Sequence, residues 1–286
     1  MPTTNQTGSP QVTSWPEVPS RVRHILSLSG GKDSAALAVY MRDRVHKMEY
    51  IFHDTGKELP ETYVYIERLE GYLGQKIVRT TFGTTFDDLL RRYGGMLPSN
   101  HRRWCTRTMK LEPFEEYVGE DFCLNYVGIR FDEKRLGYIS TKPNIRAVFP
   151  FRDDRIDYQR VQRILEDSGL GMPPYTQWGR TRSGCFFCFY QQKIEWVRLR
   201  QHHPDLYIQA KEYEKPNSIN GNIFCWCGDE SLTDLERPER MQQIEDNWVK
   251  TQERIAKRQP NKSLAETIGG LQIEPRLRDG CLLCQL

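Results

Sequence analysis

The sequence predicts an α/β fold, a mostly parallel sheet followed by a mainly helical, cysteine-containing region. Short apolar runs alternate with segments of helical periodicity up to residue 151, polar motifs fall where those runs end, and the pattern beyond Tyr158 is mostly helical. In order, Val22 to Leu28 reads as the first strand, Gly30-Gly31 as a tight turn, and Asp33 to Arg44 as a helix with an apolar face. Tyr50 to His53 is the second strand, ending at Asp54-Thr55-Gly56, and Pro60 opens a helix through Tyr72. Lys76 to Thr80 reads as strand three, Phe86 to Tyr93 as a helix, Asp121 to Ile129 as strand four and Ala147 to Phe151 as strand five. Further on, Ile156 to Glu166, Gln191 to His202 and Leu232 to Gln259 carry helical patterns. Such alternation places ligands at the carboxyl ends of the strands.

Three segments are expected: residues 1–20 as a disordered leader rich in Thr, Ser, Pro and Gln, 21–155 as an α/β domain that carries the loop Ser29 to Ser34, and 156–286 as a helical region with a C-x-x-C pair and C-terminal cysteines. At 286 residues the chain buries a full core without staples. Its 41 Lys+Arg against 38 Asp+Glu leave a net charge of +3, which does not indicate whole-surface attraction to nucleic acid or anionic lipid, so any anion site is local. No run approaches the ~18 apolar residues of a membrane span, and the N-terminus lacks the regions of a signal peptide, so a cytoplasmic protein is expected. Eight cysteines in a reducing compartment point to metal or redox chemistry rather than disulfides.

Ser29-Gly30-Gly31-Lys32-Asp33-Ser34 lies between a strand and a helix N-terminus, where free backbone N–H groups and the helix dipole favour a phosphate. Lys32 can neutralise phosphate charge, the serine hydroxyls can donate to phosphate oxygens, and Asp33 is suited to capping the helix or placing Mg²⁺. The segment is not a Walker A loop, because Asp follows Lys32 and Leu26 stands where the first glycine would be. A plain helix-capping turn is the alternative, but it leaves the lysine without a purpose.

Ser29 to Ser34 resembles the PP-loop of N-type ATP pyrophosphatases and of the related phosphoadenosine phosphosulfate (PAPS) reductase family. Three further stretches match that family in its order: His53 to Thr62, Arg103-Trp104-Cys105-Thr106 with Lys110 and Pro113, and Gly128-Ile129-Arg130 with Glu133 and Arg135. The resemblance spans about residues 22 to 200 and extends to phage- and plasmid-borne PAPS-reductase-like proteins, CRISPR-associated ones included, and to DNA phosphorothioation ATP pyrophosphatases. It implies a Rossmann-like sheet, ATP and Mg²⁺ as ligands, and catalytic roles for Lys32, Asp33 and Asp54. It further implies nucleotide contacts by Ser29, Gly30, Gly31, Ser34, Gly56, Gly128 and Arg130, and anionic-substrate contacts by Arg103, Lys110 and Arg135. Ordinary surface ion pairing is the competing account of Lys110 and Arg135.

Cys185-Phe186-Phe187-Cys188 has the spacing at which two thiolates reach one metal. Assimilatory adenylylsulfate reductases are similar in holding a [4Fe-4S] cluster between a Cys-Cys pair and a later C-x-x-C. By that resemblance Cys105 stands where the first pair would be and Cys185 and Cys188 match the second, while the fourth position falls to Cys225, Cys227, Cys281 or Cys284 or stays open. The similarity to phage- and plasmid-borne PAPS-reductase-like proteins, which carry cysteines in their last few residues, points to Cys284 as the fourth ligand, with Cys281 next in preference. Zinc, held by Cys225, Cys227, Cys281 and Cys284, is the alternative metal. Cys123, in an apolar strand, reads as a packing residue.

Three functions fit these motifs. The chain cleaves ATP between the α and β phosphates and adenylates an acceptor, which is a nucleic acid or a sulfur carrier in the related thiolation and phosphorothioation systems. Alternatively it is a sulfonucleotide reductase whose nucleophile lies in Gly280 to Cys284, or it is a nucleotide-binding accessory protein of a mobile-element or defence system.

Overall fold

The structure, a computed structural model, describes residues 21–81, 83–135, 137, 140–214, 224–228 and 230–257. The expected leader, residues 1–20, and the cysteines Cys281 and Cys284 lie outside these. Five strands, β1 (Arg23–Leu28), β2 (Met48–His53), β3 (Val78–Thr80), β4 (Cys123–Tyr126) and β5 (Ile145–Val148), form one sheet in the order β3-β2-β1-β4-β5. Every pairing is parallel. β1 is central and nearly solvent-free, as its apolar run requires of a strand covered on both faces.

Helices α1 (Lys32–Met41), α2 (Pro60–Leu73) and α3 (Phe86–Arg92) follow the first three strands. A continuous stretch before β4 comprises α4 (Trp104–Thr106), a π-helical turn (Arg107–Leu111) and α5 (Glu112–Val118). Pro113 offers no N–H to the preceding turn, which accounts for the wider winding there. After β5 come α6 (Pro150–Asp153) and α7 (Tyr158–Asp167), then a 3₁₀ turn (Pro174–Trp178), α8 (Lys193–His202), α9 (Pro204–Glu212), α10 (Leu232–Leu235) and α11 (Pro238–Lys257).

One apolar cluster joins β1, β2, α1 and α2 to Val161 and Leu165 of α7. A second, rich in aromatic rings, joins Phe86, Leu89 and Trp104 to Phe186, Phe187, Trp196, Trp226 and Ile244. Cys123 is fully buried against the opposite sheet face with Phe114 and Val118, and burial pushes its thiol up to about 12, as befits a packing residue.

Several element boundaries differ from those the sequence predicts, the first helix ending at Met41 and strand three starting at Val78 among them. The fifth strand runs over Ile145–Val148 rather than Ala147 to Phe151, because Pro150, with its fixed φ and missing N–H, opens a helix. Strand four is shorter, Cys123–Tyr126 rather than Asp121 to Ile129. The helix expected from Leu232 is broken after Leu235 by Pro238, which starts α11 as a separate element.

Candidate functional site

The loop Ser29–Ser34 crosses from the carboxyl end of β1 to the first turn of α1. Gly30 takes a left-handed φ of 68°, and a Cβ there would lie 2.4 Å from Thr62 Cγ2 of α2. A side chain at residue 30 is thus excluded twice. Ser34 Oγ accepts from the Ser29 backbone N–H at 3.2 Å and lies 3.2 Å from Ser29 Oγ. Gly128, after β4, packs so closely on α1 that a Cβ would stand 2.9 Å from the Asp33 carbonyl oxygen. The loop is thereby pressed between α2 and the β4 end.

Asp33, 6% exposed, does not cap α1: the cap residue is Gly31, without a side-chain hydrogen bond. Its Oδ1 instead accepts from Arg130 Nη1 at 2.7 Å. Arg130 also pairs with Glu133 Oε1 at 2.9 Å and Asp132 Oδ1 at 2.9 Å, and Glu133 binds Arg135. Burial works against the Arg130 charge, but Asp33 and Glu133 outweigh it and raise its pKa. Arg135, Glu133, Arg130 and Asp33 therefore form one ionic chain ending at the loop.

Because Leu28 and Phe52 are register partners, Asp54 emerges at the level of the loop on the neighbouring strand. Its Oδ1 accepts from the Gly56 N–H and the Tyr63 hydroxyl, each at 2.8 Å, which fixes the carboxylate at the sheet end. Arg103 and Lys110 lie elsewhere. Arg103 sits 5.4 Å over the Tyr190 ring, and Lys110 is 9% exposed and acts electrostatically on His53, Glu58 and Cys185.

The segment Arg180–Cys185 ties the loop to the C-x-x-C turn. Ser183 Oγ donates to Ser29 Oγ at 3.2 Å, and Lys32 Nζ donates to the Thr181 carbonyl at 3.0 Å. Thr181 is held in turn: its N–H and hydroxyl both donate to Glu195 Oε1 at 2.8 Å, a carboxylate 1% exposed at the start of α8. The fully buried Arg180 donates to the carbonyls of Gly184 and Cys185 at 3.1 and 2.7 Å, while its Nη1 has no hydrogen-bond partner. The sequence reading missed Thr181, Ser183 and Glu195. The Ser-Gly before Cys185 was the available signal.

Cys185 Sγ lies 3.2 Å from Thr55 Oγ1 and 3.9 Å from Glu58 Oε1, so the turn is seated directly on the second-strand motif. Burial, and then the Glu58 carboxylate, push its thiol well up, while burial raises Glu58 itself against the opposing Lys110 and Thr55. Cys105, Cys185 and Cys188 all pack against the aromatic cluster. Among the described residues, however, no group of three His, Cys, Asp or Glu side chains is disposed to hold a metal ion. The expected convergence of these three thiols into a ligand set is thus not present in the geometry, although the buried Lys110 and Arg180 would suit an anionic cluster there. Cys225 and Cys227 flank Trp226, which stacks on Phe187, and Cys227 is buried in that cluster.

A five-stranded all-parallel sheet with a glycine-containing loop between β1 and the N-terminus of α1 defines a Rossmann-like α/β protein. The model of the phosphoadenosine phosphosulfate reductase domain matches residues 23–191, more than half of the chain, and the chain belongs to that family. Two uncharacterized proteins of Methanocaldococcus jannaschii are similar, one 28% identical over 213 residues (68% of this chain, 43% of the relative) and one 24% identical over 203 residues (63% and 45%). An uncharacterized nin region protein of Escherichia phage lambda is 29% identical over 164 residues, 46% of this chain and 55% of the relative. The chain thus spans about half the length of these relatives. Among solved structures, the phosphate complex of PAPS reductase from Candida auris superposes with a TM-score of 0.46 at 16% identity, covering 58% of this chain and 82% of that one. The U34-tRNA thiolase NcsA of Methanococcus maripaludis, with its [4Fe-4S] cluster, gives 0.38 at 15% identity, covering 68% and 70%. No helix among the described residues is long and apolar enough to cross a membrane.

Proposed function

We propose that this chain binds ATP with Mg²⁺ on the Ser29–Ser34 loop and cleaves it between the α and β phosphates. An acceptor oxygen attacks the α-phosphorus, the bond to the bridging oxygen breaks, pyrophosphate leaves, and the acceptor carries the adenylyl group for later displacement by sulfur or another nucleophile. The observation that carries this reading is the intact loop: Lys32 beside two serine hydroxyls at the N-terminus of α1, where backbone N–H groups favour phosphate. Asp33 and Arg130 supply fixed charges beside it, and Asp54 stands at the neighbouring strand end to meet Mg²⁺ or the attacking group. Arg103, Lys110 and Arg135 remain the candidates for anionic parts of the acceptor, which is a nucleic acid or a sulfur carrier in the cytoplasm.

Calorimetry with Mg²⁺-ATP, PAPS and adenylylsulfate tests the reading. Saturable ATP binding with no sulfite release from either sulfonucleotide supports it; sulfite release without ATP binding replaces it by the reductase reading, which the family match favours. A [4Fe-4S] cluster on Cys105, Cys185, Cys188 and Cys284 is carried by the cysteine pattern alone, and no step above passes through it. Iron and acid-labile sulfide in anaerobically purified protein support the cluster, and zinc alone removes it.

A further inference from the structure

Away from the loop, α1 and the start of α7 enclose a polar pocket of about 440 Å³. Tyr40, Arg44, Asp154, Arg155, Arg160 and Arg163 line it. All four arginines are exposed, and among the described residues none has a carboxylate within ion-pair distance. Two carboxylates share the lining, Asp154, whose Oδ2 accepts from the Tyr40 hydroxyl at 2.7 Å, and Asp157, whose Oδ1 accepts from the Arg160 backbone N–H at 2.9 Å and caps α7. Two of the guanidiniums lie over aromatic rings, Arg44 at 3.9 Å from the Tyr40 centroid and Arg155 at 5.9 Å from that of Phe131, which is itself 55% exposed. Arg155 adopts a left-handed φ of 51°, an uncommon conformation for a side-chain-bearing residue. Four guanidiniums against two carboxylates leave the lining with a surplus of two positive charges, which an anion would offset, and arginine forks interleaved with aromatic faces suit phosphate and stacked base together.

Tyr158 stands between this pocket and the loop. In the first turn of α7, between Asp157 and Arg160, its ring lies 5.9 Å from Lys32 Nζ and 5.4 Å from the Arg130 guanidinium. Tyr40 stands about 12 Å along α1 from Lys32 at 1.5 Å per residue, so one ligand can span both places. We propose that this pocket holds adjacent backbone phosphates of a single-stranded nucleic acid and so anchors a strand beside the loop. Its further reading as the anchor of the adenylation acceptor rests on the proposed function; the binding itself does not.

Fluorescence anisotropy of a labelled oligonucleotide of about 20 nucleotides, titrated at several salt concentrations, tests the proposal. The Arg44→Ala/Arg163→Ala double variant should bind at least about tenfold more weakly at low salt, and the slope of log K against log salt should flatten by about 1.4, the release expected for two lost phosphate contacts on a single strand. Arg237→Ala, which removes an exposed cation from the turn between α10 and α11, should change neither quantity. Wild-type affinity and slope in the double variant would overturn the proposal. Tripolyphosphate, which shares the phosphate chemistry, is titrated in parallel: binding of it but not of the strand overturns the nucleic-acid source. Mg²⁺-ATP affinity, measured on the same double variant, should be unchanged, so a failure of this site is distinguishable from a failure of the loop.

Discussion

Lys32 and Asp33 are adjacent in sequence but point to different tasks. Lys32 donates to the Thr181 carbonyl, an exchangeable neutral partner, and touches Asp33 only at 3.8 Å, so its charge is largely available to a phosphate; Asp33 is committed more closely to Arg130, at 2.7 Å. Lys32→Ala should therefore weaken Mg²⁺-ATP binding by about tenfold to a hundredfold, the worth of a charge-assisted contact of about 1.5–3 kcal/mol, with little change in melting temperature. Asp33→Ala should lower both affinity and stability, because it leaves Arg130 facing Glu133 and Asp132 alone and loosens the first turn of α1. Equal effects of the two substitutions in calorimetry and thermal melts would show that the division of labour is wrong. Gly128→Ala should reduce ATP affinity without removing any polar group, since its methyl would displace the Asp33 carbonyl. Wild-type affinity in that variant would count against the close packing of β4's end on the loop.

At the level of elements, the chain's local signals and its tertiary ones diverge. The strands, α1 and α2 were legible because apolar period, glycine turn and Pro60 all act within a few residues. The stretch Trp104–Val118 was not predicted as a helix, because its π-helical turn breaks the 3.6-residue period and no side-chain cap marks its start. The same limit applies to the site. Ser29, Lys32 and Asp33 were readable as a motif, whereas Ser183, Thr181 and Glu195 meet them only through folding, across some 150 residues of sequence. The caps that were not read from sequence are still testable. Thr85 accepts from the Asp88 N–H at 3.1 Å while Asp88 accepts from the Thr85 N–H at 3.1 Å, a reciprocal box at the start of α3. Thr85→Ala should cost about 1 kcal/mol in denaturant unfolding, with Thr85→Ser close to wild type. A loss below the error of that measurement would mean that α3 is held by Phe86 and Leu89 in the aromatic cluster alone.

Across the whole molecule, His53 is one source of acid sensitivity, beside paired carboxylates such as Glu230. Burial, with the Lys110 ammonium nearby, pushes its imidazole down to about 3, so the ring stays neutral in the fold while the unfolded chain protonates it below about 6.5. Stability due to the neutral ring is full above about 6.5 and drains as pH falls toward 3. The melting temperature should accordingly drop from pH 6.5 to 4, and His53→Gln, which can keep a hydrogen bond to Thr80, should flatten that slope; parallel slopes in the two proteins would refute the assignment. The tether through Thr181 and Ser183 has a different kind of consequence. It makes the loop and the cysteine turn two ends of one lever, with Glu195 as its fulcrum at the start of α8. If the loop binds a nucleotide as proposed and Lys32 leaves the Thr181 carbonyl to do so, whatever fastens Cys185 and Cys188 should by reciprocity alter the affinity for that nucleotide by the same factor. In such a molecule the state of the thiols would be reported in the affinity for ATP, a message carried between two chemistries by four residues of backbone.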